Sequence, residues 1–445
     1  MIATIVGVLS VATLAGQGCS SDTLESERLD RFRAAEREVA AWIERGELAG
    51  AVLLARHHPD PPGPWSRRER LPLEMSSALG HASAFRFDGG RLDEPVPMTA
   101  GTIFDLASIT KVAATTMSTM ALVDRGLVDL DAPVADHLPD FTGGGRERIT
   151  ARHLLTHRSG LAPWWPVYYH AEDPDAAYAF VHRHPLVGIP GAERRYSDLG
   201  FMLLGRLVET VSGKPLDRFA FEELYRPLGL RATGFRPLDR GSASQPNDTR
   251  IRPSPADDRP PSAETARSLP VFAATSRGNP FERRMVHDAA FGYRIDLDPL
   301  AWNGWREYTL VGEVNDGNGF HAFGGVAGHA GLFSTAGELA TLVGLMLTAG
   351  RYRDRRFFGS ETVREFLEDT GEGQALGWQL PDYAPPASFG HTGFTGTLVL
   401  AVPARRMVIV LLTNRQHAGV GADGRYPDIG PLQRKVVEIL TETAG

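Results

Sequence analysis

The sequence predicts an α+β fold: an antiparallel sheet built from N- and C-terminal segments, flanked by helices, with a mostly helical lobe inserted between them. Three observations carry this expectation. Apolar, β-rich runs lie near both ends, at 48–56 and 75–87 and again at 389–402 and 406–413. Helical apolar periods frame them at 24–46 and 432–443, and the middle of the chain is helical in pattern. Elements of this kind pack most simply as one layered unit with short, uncrossed connections. The sheet segments are therefore placed at about 48–104 and 375–445, and the helical lobe at about 105–374.

Taken in order, Leu29, Phe32, Val39, Trp42 and Ile43 recur at helical spacing among many charges, which predicts an amphipathic helix. The run 48–56 reads as a buried strand, 57–74 as a Pro- and Arg-rich loop, and 75–87 as a second strand. An apolar helical run begins at Ser108 and continues to Val123. A short helix ending at Gly160 carries His153 and His157, four residues apart. No glutamate follows His153 as a zinc protease requires, so these histidines read as capping and packing groups. The stretch Arg195-Tyr196-Ser197-Asp198 opens another helix, and 237–280 reads as a long irregular excursion. The glycine-rich 324–333 reads as a tight turn, followed by a Thr335 to Glu338 capping box. The pattern calls for no metal and no cofactor.

With 445 residues the chain can bury a large core, and a net charge of −7 without a basic stripe gives no footprint for nucleic acid. Residues 2–15 form an apolar run too short for an ordinary membrane span, ahead of the single cysteine, Cys19. Residues 1–19 therefore read as a signal peptide. Small residues before Cys19 and a polar stretch after it look like a bacterial lipoprotein signal, in which Cys19 would carry lipid and anchor the protein to a membrane. The plainer alternative is a secretory signal with an incidental cysteine. Either places the protein outside the cytoplasm, in the periplasm or cell envelope.

The chemistry centres on Ser108-Ile109-Thr110-Lys111. Residues three apart share a helical face, so the Lys111 amine can reach the Ser108 hydroxyl and serve as its base. An ordinary lysine is charged at pH 7, so this role predicts a desolvated Lys111 with a lowered pKa. The chain has only three lysines (Lys111, Lys214, Lys435) beside 44 arginines, which makes a lysine here conspicuous.

Ser108-Ile109-Thr110-Lys111, Tyr196-Ser197-Asp198 and His391-Thr392-Gly393, in that order, resemble the serine β-lactamase and penicillin-binding-protein superfamily in its class C-like branch. The likeness runs from about 50 to 413. Tyr-x-Asp also occurs at Tyr352 and Tyr426, and only order and the following helix select Tyr196. The resemblance implies an exported serine hydrolase in which Ser108 forms an acyl-enzyme with a small-molecule or peptide ester or amide, such as a D-Ala peptide. Lys111 and Tyr196 would share the proton work, Tyr196 as a phenolate-like base. Asp198, His391, Thr392, Gly393 and Phe394 would bind substrate, with the N–H groups of Ser108 and Phe394 as the oxyanion hole. Asp198 stands where the branch usually has Asn, and a carboxylate there favours a protonated Lys111 and shifts base work to Tyr196. His391 replaces a lysine that in many relatives holds a substrate carboxylate, which favours esterase or D-amino-acid peptidase chemistry over β-lactam hydrolysis. The alternatives are a β-lactamase, or a non-catalytic envelope-binding protein of the same fold.

Overall fold

The computed structural model describes residues 10–11, 19–59, 72–238, 270–291 and 296–442. Most of the expected leader and the centre of the 237–280 excursion lie outside these residues. The described residues form a seven-stranded sheet of β1 (Ser10–Val11), β2 (Gly50–His57), β3 (Leu73–Phe85), β4 (Arg91–Pro97), β5 (Phe389–Gly393), β6 (Thr397–Val402) and β7 (Met407–Thr413). Its order is β1-β3-β2-β7-β6-β5, with β4 also on β3, and the pairings are antiparallel. The two ends of the chain meet where β2 pairs with β7, from His57 opposite Met407 to Ala51 opposite Thr413. The α+β class with a helical insertion is the one the sequence predicts.

The central strands are buried on both faces, and the period of two divides them between two cores. Met407, Ile409 and Leu411 pack with Phe32, Val39 and Trp42 of α1 (Cys19–Glu44) and with Leu432 and Val436 of the C-terminal helix Gly430–Thr441. Val408, Val410 and Leu412 face the helical lobe, joining α2 (Met117–Asp124), α3 (Asp198–Ser212) and the helix Ala336–Leu347 in one cluster. Each such side chain contributes roughly 1.5–3 kcal/mol on burial, and the sheet thereby clamps the lobe that carries the site.

Three elements differ from expectation. The strand β4 has two prolines and is largely exposed, a pattern tolerated only at a sheet edge and therefore silent in hydrophobic periodicity. The end of the excursion is ordered as well: Ala274–Arg277 pairs with Thr309–Val311, and Phe272 bridges to Ile103. The capping box at Thr335 is half formed. Its hydroxyl accepts the Glu338 N–H at 3.3 Å, but the Glu338 carboxylate accepts from the N–H groups of Arg231 and Ala232 and the Thr233 hydroxyl instead. No described helix is long and apolar enough to cross a membrane.

Candidate active site

Ser108 lies in a 3₁₀ turn, Ala107–Ile109, ahead of a π-helical turn, Lys111–Thr116, that runs into α2. Side chains three apart eclipse one another in a 3₁₀ turn. The Lys111 ammonium accordingly donates to Ser108 Oγ at 3.0 Å. Between Thr102 and Thr110, Ser108 is the one residue that is not buried. The expected helix does not start at Ser108, because Ala107 has φ +46°, a left-handed value that costs an L-residue strain. That conformation is held from several sides. The Asp105 carboxylate accepts the Ala107 N–H at 2.8 Å, and the hydroxyls of Thr395 and Thr397 donate to the carbonyls of Asp105 (2.8 Å) and Leu106 (3.2 Å).

Those threonines bring the β5–β6 hairpin onto the serine turn. A Cβ on Gly393 would lie 2.4 Å from the Leu106 carbonyl oxygen and 2.1 Å from Thr397 Oγ1. Only glycine permits so close an approach, and it places Phe394 beside the segment bearing Ser108. The Phe394 ring is half exposed and packs 5.1 Å from Phe281, while its carbonyl accepts from the Arg415 guanidinium at 2.7 and 3.2 Å.

Lys111 is fully buried, as expected, and it carries the charge that a carboxylate at Asp198 favours rather than the lowered pKa that the Ser-x-x-Lys pair alone requires. Its ammonium is 2.7 Å from the Asp198 carboxylate, donates to the His329 carbonyl at 3.1 Å, and lies 5.0 Å from the centre of the Tyr196 ring. Burial alone would push Lys111 down, but Asp198 and then Tyr196 outweigh it and raise its pKa to about 12. The lowered pKa read from the Ser-x-x-Lys spacing is corrected here: Lys111 is a fixed cation.

Asp198 begins α3, where an acid is favoured by the helix dipole, and Ser197 caps that helix by accepting the Gly200 N–H at 3.1 Å. Just before the cap, Tyr196 is set against Ser108 and Lys111. Burial raises the phenol, Lys111 pulls it back and Asp198 pushes it up again, leaving it above its ordinary range. Tyr196 therefore rests as a neutral phenol, not as the phenolate-like group expected. His157 packs on its ring at 4.4 Å and accepts the Ser197 N–H at 3.1 Å, and burial first, then Lys111, keeps this imidazole neutral. His153 caps its own helix through Thr150. Both histidines have the packing and capping roles read from the sequence.

His391 is buried, with Nδ1 2.7 Å from the Thr392 carbonyl, which fixes Nδ1 as the donor of a neutral ring. Burial, followed by the Lys111 charge, lowers its pKa to about 3. The weakened attraction for a carboxylate expected at this position is an absence of charge. Thr392 lines a cleft of about 500 Å³ with Arg194, Gln379 and Arg434, whose wall also carries Glu372 and Asp382 and does not include Ser108. The Arg194 guanidinium donates to the neutral Gln374 side chain at 2.9 and 3.3 Å and lies near enough to lower His391 and His157. Of the competing Tyr-x-Asp matches, Tyr426 packs against Phe281 and Phe394, and Tyr352 lies in a short hairpin.

Sequence reasoning missed Arg194, Asp105 and the His329 carbonyl. The glycine-rich stretch was the visible trace of the last. A Cβ on Gly328 would sit 2.0 Å from the Phe201 carbonyl oxygen of α3, so glycine is what lets this loop reach Lys111.

A sheet closed by both chain ends, clamping a lobe in which a part-exposed serine and tyrosine meet a buried lysine, defines a serine acyl-transfer hydrolase. The comparisons give the family. The Beta-lactamase family model matches residues 78–430. A "Putative D-alanyl-D-alanine carboxypeptidase" of Escherichia coli (strain K12) is 33% identical over 373 residues, covering 78% of this chain and 77% of the relative. An "N-acetylmuramyl-L-alanine amidase" of Bacillus subtilis (strain 168) is 33% identical over 380 residues, covering 79% and 77%. A solved penicillin-binding protein homologue from Caulobacter crescentus shares the fold, with a TM-score of 0.58 and 19% identity over 87% of this chain and 95% of that one. The chain belongs to the Beta-lactamase family and is a serine hydrolase.

Proposed function

We propose that the protein is an exported hydrolase that forms an acyl-enzyme at Ser108 on a cell-wall-related amide or ester, with a D-Ala peptide as its substrate class. The observation that carries this is the 3.0 Å contact between Lys111 and Ser108, with Tyr196 against both. Ser108 Oγ attacks the substrate carbonyl. Its proton passes to the ionised fraction of Tyr196, which the fixed Lys111 charge stabilises. Tyr196 then protonates the leaving amine or alcohol, and deacylation by water repeats the exchange. The N–H groups of Ser108 and Phe394 receive the developing oxyanion. Thr392 and the Arg194 side of the cleft meet the substrate's anionic end, a task that neutral His391 does not serve.

The Escherichia coli relative is named for D-alanyl-D-alanine, which supports the D-Ala class, and the Bacillus subtilis relative is named an N-acetylmuramyl-L-alanine amidase, which supports a cell-wall-related amide. The uncharged His391 disfavours β-lactam hydrolysis, and an intact Ser108, Lys111 and Tyr196 disfavour a purely binding role. Export rests on the apolar 2–15 run and Cys19, and Cys19 is the residue proposed to carry lipid.

The test is intact-protein mass spectrometry after incubation with p-nitrophenyl acetate and, separately, a penicillin, on the protein and on Ser108→Ala. A covalent adduct on the parent alone, with catalytic release of p-nitrophenolate, is the expected result. No adduct and no turnover with either reagent would return the choice to the binding protein.

A further inference from the structure

The segment from Asn315 to Gly319, a loop that runs into a π-helical turn at Asn318, touches no reacting group, yet three carboxyls, buried Asp105 and part-buried Glu282 and Asp316, grip its backbone. Asp105 accepts the Asn315 N–H at 2.6 Å, Glu282 accepts the Gly317 N–H at 3.0 Å, and Asp316 accepts the Gly319 N–H at 2.7 Å. Two of these grips continue to the reaction centre. The second oxygen of Asp105 holds Ala107 in its strained conformation beside Ser108. Asp316 lies 2.9 Å from Nε2 of His329, whose carbonyl receives Lys111. One loop thus fixes both members of the serine–lysine pair.

Glu282, on the helix Pro280–His287, is the third grip, and its carboxyl faces that of Asp316 in a part-buried site. Two carboxylates so placed cannot both be charged without a large repulsion. We infer that Glu282 is a positioning residue that works as a neutral acid: uncharged beside Asp316, it keeps the Asn315 to Gly319 loop, and through it the His329 carbonyl, where Lys111 is received. The inference rests on the assignment of Ser108 and Lys111 made above.

The groups facing Glu282 are Asp316, Tyr168, Tyr169, Arg306 and Tyr426. Burial, then Asp316, raises the Glu282 carboxyl to about 8, against the opposing pull of the Tyr168 contact, Arg306 and the Gly317 N–H. Arg306 is committed elsewhere, donating to the carbonyls of Val314 (2.7 Å) and Asn315 (2.6 Å) and to Asn279 (3.0 Å). It braces the same loop and leaves Glu282 without a dedicated counter-ion. When Glu282 ionises, the repulsion from Asp316 acts on the loop residue that holds His329. Lys111 at about 12 and a raised Tyr196 do not titrate in this range. Below its midpoint the ionised fraction of Tyr196 still grows with pH, equally in the parent and in Glu282→Gln, so a fall of the parent relative to Glu282→Gln above pH 8 is the signature of Glu282.

The experiment measures kcat and KM for p-nitrophenyl acetate from pH 6 to 9.5 on the full chain, Glu282→Gln and Ser108→Ala. The kcat of the parent relative to that of Glu282→Gln is expected to fall about tenfold between pH 7 and 9.5, with little change in KM for either. Glu282→Gln keeps an acceptor for Gly317 but cannot ionise, so its kcat is expected to follow the ionised fraction of Tyr196 alone up to pH 9.5. A parent-to-variant kcat ratio that stays constant from pH 7 to 9.5 overturns the inference. Turnover that survives in Ser108→Ala overturns the assignment of the nucleophile and, with it, this inference. Should Glu282→Gln fail to fold, ¹⁵N-lysine NMR of the parent decides: the Lys111 resonance is expected to move between pH 7 and 9.5, and a static resonance overturns the inference.

Discussion

The Lys111 ammonium and the Asp198 carboxylate lie 2.7 Å apart, and this contact sets the charge of the reaction centre. A fully buried lysine without such a partner loses its proton readily, whereas here the carboxylate more than reverses the effect of burial.

Asp198→Asn removes that carboxylate and leaves burial as the largest influence. The Lys111 pKa is then expected to fall from about 12 to below the ordinary lysine value of 10.5. With only Lys111, Lys214 and Lys435 in the chain, ¹⁵N-lysine NMR across pH 8–11 reads the change directly. A Lys111 resonance that titrates identically in parent and variant would show that Asp198 does not set the charge.

His391 makes the fold sensitive to acid. Its imidazole is held neutral in the folded chain, with a pKa of about 3 against 6.5 when exposed. The stability this group contributes is complete above pH 6.5 and is lost as pH falls toward 3, because the unfolded chain binds the proton first. At pH 4.5 the loss reaches about 2 kcal/mol in order of magnitude. His391→Gln should show a smaller drop in Tm between pH 7 and 4.5 than the parent, and an equal drop would refute the assignment.

Gly393→Ala places a methyl group against backbone that cannot move cheaply, the Leu106 carbonyl. The β5–β6 hairpin is expected to retreat from the serine turn, lowering the acylation rate by at least about 100-fold through misplaced oxyanion donors. Gly101→Ala, with ordinary backbone and open space, serves as the control. Equal burst rates in the two variants would mean that the close approach is incidental.

Arg194→Gln tests how the substrate's charge is met. The variant is expected to raise KM about tenfold for a D-Ala-D-Ala peptide with a free carboxylate, while kcat/KM for p-nitrophenyl acetate changes much less. Equal effects on both substrates would remove Arg194 from substrate recognition.

What the sequence reveals about this protein follows from how each feature is encoded. The paired termini were legible because β2, β6 and β7 are buried on both faces and therefore almost continuously apolar. The strand β4 was not, since its two prolines and exposed side chains have no reason to alternate. In the site, Ser108 and Lys111 stand out because one short turn carries both. The Ser108–Lys111 spacing alone implies a lowered lysine pKa, whereas Asp198, 87 residues away, implies the protonated Lys111 that the fold shows, and only the resemblance links the two in the sequence. The acceptor at His329 is a backbone carbonyl, which every residue type supplies, so no side chain marks it.

The pairing of β2 with β7 also has a temporal meaning. The serine turn at 107–109 is synthesised early, but the strand that must press Gly393 against it, and the neighbours that hold that strand in the sheet, arrive only after some 300 further residues. Contacts of such long sequence separation form slowly and late. A nascent chain that stops short of β5–β7 thus holds Ser108 and Lys111 without Phe394, the oxyanion partner proposed above, and on that reading the hydrolase cannot act on its substrate until those strands have been made and docked.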